Sequence, residues 1–259
     1  MDSVDTSQEE QQLAIVLPGH QFHELIRGES EGEGPTIHDV ADELVVDDGK
    51  APEQYSLFWS IYTSARGLVV TERLRPDGTE NKTYLWVGPE GVVFAADNYS
   101  ESTVTMAIAD VDSRFTLLID GMLLGRRNFP RENEPGYGVI QQKDIMNVIS
   151  PDLPASDRAV SAKKLADAVS DIQPEMAQDL MDGQFEAISV VAEWQTGSRS
   201  ENGSLVYLDT PHGYLLYNTE RHMMRKEHQL EPAPGWYVLI QASSLLPPEE
   251  LIASWQEQG

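Results

Sequence analysis

The chain contains no cysteine among its 259 residues. Disulfides, thiolate nucleophiles and cysteine metal sites are excluded by that inventory, and nothing calls for an oxidising compartment. Basic residues are scarce: 18 Lys and Arg stand against 43 Asp and Glu, a formal net charge of -25. A field of that sign repels phosphate backbones and anionic lipid surfaces, which makes nucleic acid a poor partner. Its plain meaning is solubility, and its sharper meaning is a partner with a basic or dipolar end. Long apolar runs are missing too. No stretch reaches the roughly 18 residues that a membrane helix needs. The opening MDSVDTSQEEQQ is acidic and polar where a secretory signal needs a basic start and an apolar run. The expectation is a cytosolic protein that neither enters nor crosses a membrane.

Catalytic and cofactor motifs are equally scarce. Gly28-Glu29-Ser30-Glu31-Gly32 spells the nucleophile-elbow string, but that motif needs an apolar strand before the serine and a helix after it, and neither pattern is present. His20, His23 and His38 lack the HExxH spacing of a zinc helix and read as surface groups. His212 falls in a tight-turn pattern, with no base or nucleophile beside it in sequence. Glycine-rich phosphate cradles are absent, and carboxylates are so abundant that no single pair carries weight. The inventory points away from an enzyme, a cofactor or a metal and towards a binding protein. Of the tryptophans, Trp59 and Trp236 lie in helical patterns and are expected in the core. Trp86 and Trp194 lie on strand patterns, where burial is also the ordinary reading.

What the sequence does have is order that recurs. Residues 1–12 read as a tail, Leu13 to Ile26 as a short amphipathic piece with Phe22, Leu25 and Ile26 at helical spacing, and residues 28–36, GESEGEGPT, as an acidic loop. After a turn at Asp47-Asp48-Gly49, Pro52 opens a helix whose Tyr55, Phe58, Ile61, Tyr62 and Ala65 repeat every three or four residues until Gly67. Strand patterns follow at Leu68 to Leu74, Thr83 to Val87, Val92 to Ala96 and Thr103 to Ala109, with a polar loop from Arg75 to Lys82 and a turn at Pro89-Glu90-Gly91. A closing helix presents Phe115, Leu118, Ile119 and Met122 on one face.

The same order returns about 121 to 122 residues later. Pro174 opens a helix, Val190-Val191-Ala192-Glu193 answers Val69-Val70-Thr71-Glu72, Ser198 to Gly203 forms the matching polar loop, and Pro211-His212-Gly213 answers Pro89-Glu90-Gly91. Trp236 to Leu246 stands for Arg114 to Leu124. A connector rich in Pro, Asn and Arg and a helix from about Ala159 to Val169 lie between, and a last helix runs from Pro248 to Gln256. The expected fold class is α+β: two repeats related by a pseudo-two-fold axis, forming a central, mainly antiparallel sheet flanked by helices on one side. The chain divides into an N-terminal segment (1–50), a first repeat (51–125), a connector (126–158) and a second repeat with C-terminal helices (159–259), together one compact domain.

The stretch from Phe185 to Glu193, a polar loop, and then Gly203 to Tyr217, with the turn Asp209-Thr210-Pro211-His212-Gly213 as its most specific element, resembles the EspG family of ESX (type VII) secretion-associated chaperones. The flanking helices, the pattern from Met223 to Leu230 and the order of the first half agree, so the resemblance covers roughly residues 50 to 257. Two departures are the acidic loop 28–36 and the extreme charge. The resemblance implies a cytosolic chaperone, working without ATP or metal, that holds a PE–PPE heterodimer by the apolar tip of the PPE bundle. It places the contact on the open sheet face, on the loop Arg75, Pro76, Asp77, Gly78, Thr79, Glu80, Asn81 and Lys82, and on the helices that carry Lys164, Asp167, Gln178 and Met181. An adaptor or immunity-type protein with another client is the alternative.

Overall fold

The computed structural model describes residues 14–18, 22, 53–98, 103–124, 136–222 and 225–257. Among the sequence readings, the acidic loop, the elbow string and His20, His23 and His38 lie outside these residues, as does the side chain of Trp59.

Alternating apolar and polar residues build strands, and here ten of them form one sheet. They are β1 (Ala14–Pro18), β2 (Gly67–Leu74), β3 (Glu80–Val87), β4 (Val92–Asn98), β5 (Thr103–Ala109), β6 (Gly138–Ile140), β7 (Glu186–Thr196), β8 (Arg199–Thr210), β9 (Gly213–His222) and β10 (Arg225–Ala233). Their order is β1-β5-β4-β3-β2-β7-β8-β9-β10-β6, and every neighbouring pair is antiparallel. Read outward from the β2–β7 pair, the order is the same in both directions: four strands in chain sequence, then a short strand from the segment before them. At the centre Val70 pairs with Val191, the residue that the 121-residue offset makes its counterpart.

The helices are α1 (Glu53–Ser64), α2 (Arg114–Met122), α3 (Gln142–Val148), α4 (Ala155–Val169), α5 (Pro174–Met181), α6 (Gly235–Ser243) and α7 (Glu249–Gln256). They cover both faces of the sheet, not the single face expected from sequence. Successive strand residues point to opposite faces, and the buried residues sort accordingly. Val69, Leu85, Val87, Ile188, Val190, Tyr207 and Leu216 pack with Leu118 and Met122 of α2, Val238 and Ala242 of α6, and Ile252 and Trp255 of α7. The interleaved residues face the other way. Trp86, Val93, Val104 and Met106 pack with Phe22 and with Phe58, Ile61 and Tyr62 of α1, while Ala187, Leu208, Leu215 and Leu230 pack with α3, α4 and α5. A long antiparallel sheet that is apolar on both sides needs cover on both, which adjacency of helices in sequence does not reveal.

Other local readings are corrected by tertiary context. Within the piece from Leu13 to Ile26, Ala14–Pro18 form β1, an edge strand on β5, and Phe22 is helical and buried, while Leu25 and Ile26 lie outside the described residues. The loop from Arg75 to Lys82 is shorter than expected, because Glu80, Asn81 and Lys82 already pair with Leu74, Arg73 and Glu72. Of the polar stretch Ser198 to Gly203, all but Ser198 belong to strand β8, joined to β7 by a tight turn of Gly197, at φ 63°, and Ser198. The connector hides β6 and α3, and Gly138 sits so close to α4 that a Cβ would lie 2.4 Å from the Ala168 carbonyl oxygen. The α2 helix buries Leu117, Leu118, Gly121 and Met122 and leaves Phe115 38% exposed, and Trp236, expected in the core, is 63% exposed.

Candidate partner-binding face

At one end of the sheet β2 ends, β7 begins and β8 ends, since Leu74 pairs with Ala187 and Glu186 with Asp209. The β2–β3 loop leaves from this end as a five-residue turn, closed by Arg75 N–H donating to the Thr79 carbonyl at 2.9 Å and Gly78 N–H donating to the Arg75 carbonyl at 2.9 Å. Gly78 takes φ 96°, a conformation that side chains avoid. Asp77 accepts the Thr79 N–H at 2.8 Å, and that bond holds its carboxyl below the usual range.

This loop is tied down. The guanidinium of Arg75 meets Glu186 Oε1 at 2.8 Å, and Arg73 binds the other oxygen of the same carboxylate. The hydrogen bond to Glu186 raises the pKa of Arg75 further above its ordinary value. From α4, the buried Arg158 donates to the carbonyls of Leu153 and, at 3.4 Å, Pro76. Lys82 lies between Glu72 and Glu80 at 3.0 and 2.9 Å. Burial alone would lower its pKa, but the two carboxylates outweigh burial and raise it. Among the predicted contact residues, then, Arg75, Pro76 and Asp77 come together with Ala155 and Ala159 of α4, Asp182 and Phe185 of the α5–β7 link and Pro211. These line an open groove of about 850 Å³.

The remaining predicted residues do not converge there. Lys164 pairs with buried Asp144 of α3 at 2.8 Å. Asp167 is exposed on α4. Gln178 is exposed on α5 and donates to Asp182 Oδ1 at 2.9 Å, and Met181 is 43% exposed. Sequence reasoning missed Glu186, Arg158 and the partner of His212, because each acts on residues far along the chain. His212, read as lacking a base, has one: buried Asp179 accepts its Nδ1–H at 2.8 Å and its backbone N–H at 3.3 Å.

Beside this corner, the described residues leave the middle of the face shared by α1 and the α3–α5 layer open. Val191 is 48% exposed there, opposite half-buried Val70, although both sit on the two central strands. Buried sheet centres do not normally leave a valine open, and among the described residues no helix covers this strip. Among the described residues no group of three or more His, Asp and Glu could hold a metal ion, and no helix is long and apolar enough to cross a membrane.

No protein-family model matches the sequence, and no curated protein matches it. The Mycobacterium tuberculosis type VII secretion system chaperone EspG5, in its structure in complex with the PE25-PPE41 dimer, superposes with a TM-score of 0.54 at 14% sequence identity. The match covers 90% of this chain and 97% of that one. Along nearly its whole length, the chain therefore has the fold of the type VII secretion chaperone EspG5.

Proposed function

We propose that the chain is a non-catalytic, cytosolic chaperone of type VII secretion that binds a PE–PPE heterodimer at the PPE tip and keeps it soluble for export. The observation that carries this reading is the fold shared with EspG5 over 90% of the chain. The exposed Val191 opposite half-buried Val70 supports it, since an apolar helical tip needs apolar surface that the described helices leave open. The corner formed by the β2–β3 loop, α4 and α5 supplies a polar rim beside that strip.

Co-expression of the chain with a PE–PPE pair, followed by size-exclusion chromatography, tests the reading. The expected result is one soluble three-protein complex, and a pair that aggregates whether or not the chain is present sinks the proposal. Val191→Asp places a charge on the exposed strip without disturbing a buried contact. Loss of a central apolar anchor should weaken the complex about fivefold or more. Reversing Arg75 and Lys82 is a poorer probe, because both hold internal ion pairs.

A further inference from the structure

The helices α2 and α6 pack together on the face of the sheet that Val190 and Ala192 enter, opposite to the one on which Val191 is exposed. No charged residue lies between Glu231 and Glu249, the longest such run in a chain of which 24% is charged, and α6 sits inside it. The buried side of α6 is Val238 and Ala242. Its outer side is Trp236 and, one turn on, Ile240, 53% exposed. Arg114 at the start of α2 meets Glu249, beyond the end of α6, at 3.6 Å, so the two helices run antiparallel and the end of α2 comes to the start of α6. There Leu123, 60% exposed, caps α2 at φ 47° and ψ 42°. Glycine or asparagine ordinarily takes that left-handed position, and an exposed leucine gains no burial in return for it. The Trp236 ring is set edge-on to Tyr237 at 5.8 Å.

Tryptophan, isoleucine and leucine exposed on one helix pair, with Phe115 at its far end, form the kind of patch that marks a protein contact. Together they offer roughly 400 Å² of apolar surface, about half of what one partner brings to a standard interface. The rim of the patch has one sign. Asp112 and Asp120 on the α2 side and Glu249 and Glu250 at the start of α7 are exposed, while Arg114, the one cation of the three helices, is 12% exposed and held by Asp112 and Glu249. A second copy would set these acids against their own kind, which disfavours it as the occupant. A partner with apolar side chains between Lys or Arg meets both the patch and the rim. We infer that the α2–α6 face is a docking surface for an amphipathic helix of another protein, its apolar stripe on Trp236, Ile240 and Leu123 and its flanking Lys or Arg on the acidic rim. This surface lies across the sheet from the strip assigned to the client, so a client and this helix can be held at once.

The probe is a dye-labelled peptide of about 18 residues, or about five helical turns, with leucine at helical spacing and lysine on both flanks. One counterpart has glutamate in place of lysine, and another has the composition of the first with its leucines moved out of helical spacing. Fluorescence anisotropy on the full chain should show the first peptide binding at least about tenfold more tightly than either counterpart. Trp236→Ser with Ile240→Ser should weaken that binding about fivefold or more, and Leu123→Gly about threefold. Leu123→Gly also suits the left-handed cap, so its melting temperature should equal or exceed that of the parent chain, and a clear fall would make Leu123 a packing residue and remove it from the surface. Val191→Asp, on the other face, should leave the peptide bound as before. Equal binding of the rearranged peptide would trace the attraction to the overall charge of -25 and overturn the proposal. A loss of several degrees in melting temperature on Trp236→Ser with Ile240→Ser would mean that the chain covers this face itself, and would overturn it too. So would self-association of the free chain in sedimentation that this variant abolishes, which would give the face to a second copy. The same variant should still hold a PE–PPE pair, and loss of the pair would make this the client face and refute a second contact. Helix docking by a chain that holds no PE–PPE pair would uphold the surface and sink the chaperone reading alone.

Discussion

The two halves of the sheet share an order of strands but not a way of covering them. Strands β2 to β5 are 8, 8, 7 and 7 residues long, whereas β7 to β10 are 11, 12, 10 and 9. On the face where the halves differ, the first is closed by aromatic rings. Tyr62 lies edge-on to Trp86 at 5.1 Å, and Phe22 to Tyr84 at 5.4 Å. The second is closed by aliphatic side chains of three packed helices, Ile145 and Val148 of α3, Leu165 and Val169 of α4, and Met176 and Leu180 of α5. Among the described residues, a few large rings, Phe58 and Tyr62 of α1 together with Phe22, cover this small sheet. Many small side chains spread over three helices make a broader and more interlocked layer, and such layers resist local opening. The second half should therefore be the more stable partner of the pair.

The largest effect tests that asymmetry directly. Leu165 is fully buried among α3, α4 and α5, and Leu165→Ala should cost about 3 kcal/mol by denaturant unfolding. Val104→Ala, equally buried beneath the aromatic cover of the first half, removes less volume and should cost about 1.5 kcal/mol. In native-state hydrogen exchange the amides of β8 and β9 should outlast those of β4 and β5. Equal protection in the two sets would remove the asymmetry.

Next in size is the joint between the halves. Arg158 sits on α4, which packs on the second half of the sheet, yet it binds the Pro76 carbonyl of the first as well as the carbonyls ahead of its own helix. Arg158→Ala leaves those carbonyls without their buried donor and should cost about 2 kcal/mol. Limited proteolysis should then cut the β2–β3 loop first. If the loop stays as resistant as in the parent chain, the joint lies elsewhere.

The outer strands sharpen the contrast. β5 buries Val104 and Met106, while β10 carries Glu227 opposite Glu220 and Glu231 beside Asn218. Burial outweighs the hydrogen bond from Asn218 and pushes the Glu231 carboxyl above its ordinary value of 4.5, and the charge of Glu220 adds a smaller rise. An acid with a raised folded pKa binds its proton more tightly in the folded state, so ionising it above that pKa weakens the fold. Glu231→Gln keeps the acceptor for Asn218 and should raise the melting temperature at neutral pH. The gain should fade as pH falls towards 4.5, and a gain that is flat with pH would refute the assignment.

Much of this architecture was legible in the chain. Alternation in Val69 to Arg73 and in Ile188 to Ala192, and the recurrence of a Pro-x-Gly turn before an apolar strand, are local signals, and each became the element it announced. What escaped depended on distant residues. Trp236 has the spacing of a core residue, but its side of α6 meets no second layer among the described residues. Glu80 to Lys82 look like a loop because their polar side chains pair across strands instead of entering a core. The groove could not be read at all, since Arg75, Ala159, Asp182 and Pro211 come from four segments that only the sheet brings to one end.

The smallest effect concerns the two turns that the repeat sets in parallel. Glu90 stands where the second half has His212. The first turn is held by Gln256 of α7, which donates to the Pro89 carbonyl at 2.8 Å, and the second by Asp179 of α5, which accepts from His212 twice. The first latch is neutral and should ignore pH. The second gains when the imidazole is charged, because the hydrogen bond and the charge of Asp179 raise the pKa of His212 above its ordinary 6.5, against a small opposing effect of burial. Glu175 on the same helix adds to that rise, and Asp182 and Asp209 near the turn keep the surroundings negative. A raised folded pKa means that this stabilisation is complete below pH 6.5 and is lost as pH rises through the folded value. The imidazole is solvated, so the effect is modest. His212→Gln keeps a side-chain donor but cannot charge. Its melting temperature should fall below that of the parent chain at pH 5.5 and approach it by pH 8.5, while Gln256→Ala should show a deficit that does not change over the same range. A His212→Gln deficit that is constant with pH would mean that the two turns are held by the same kind of bond.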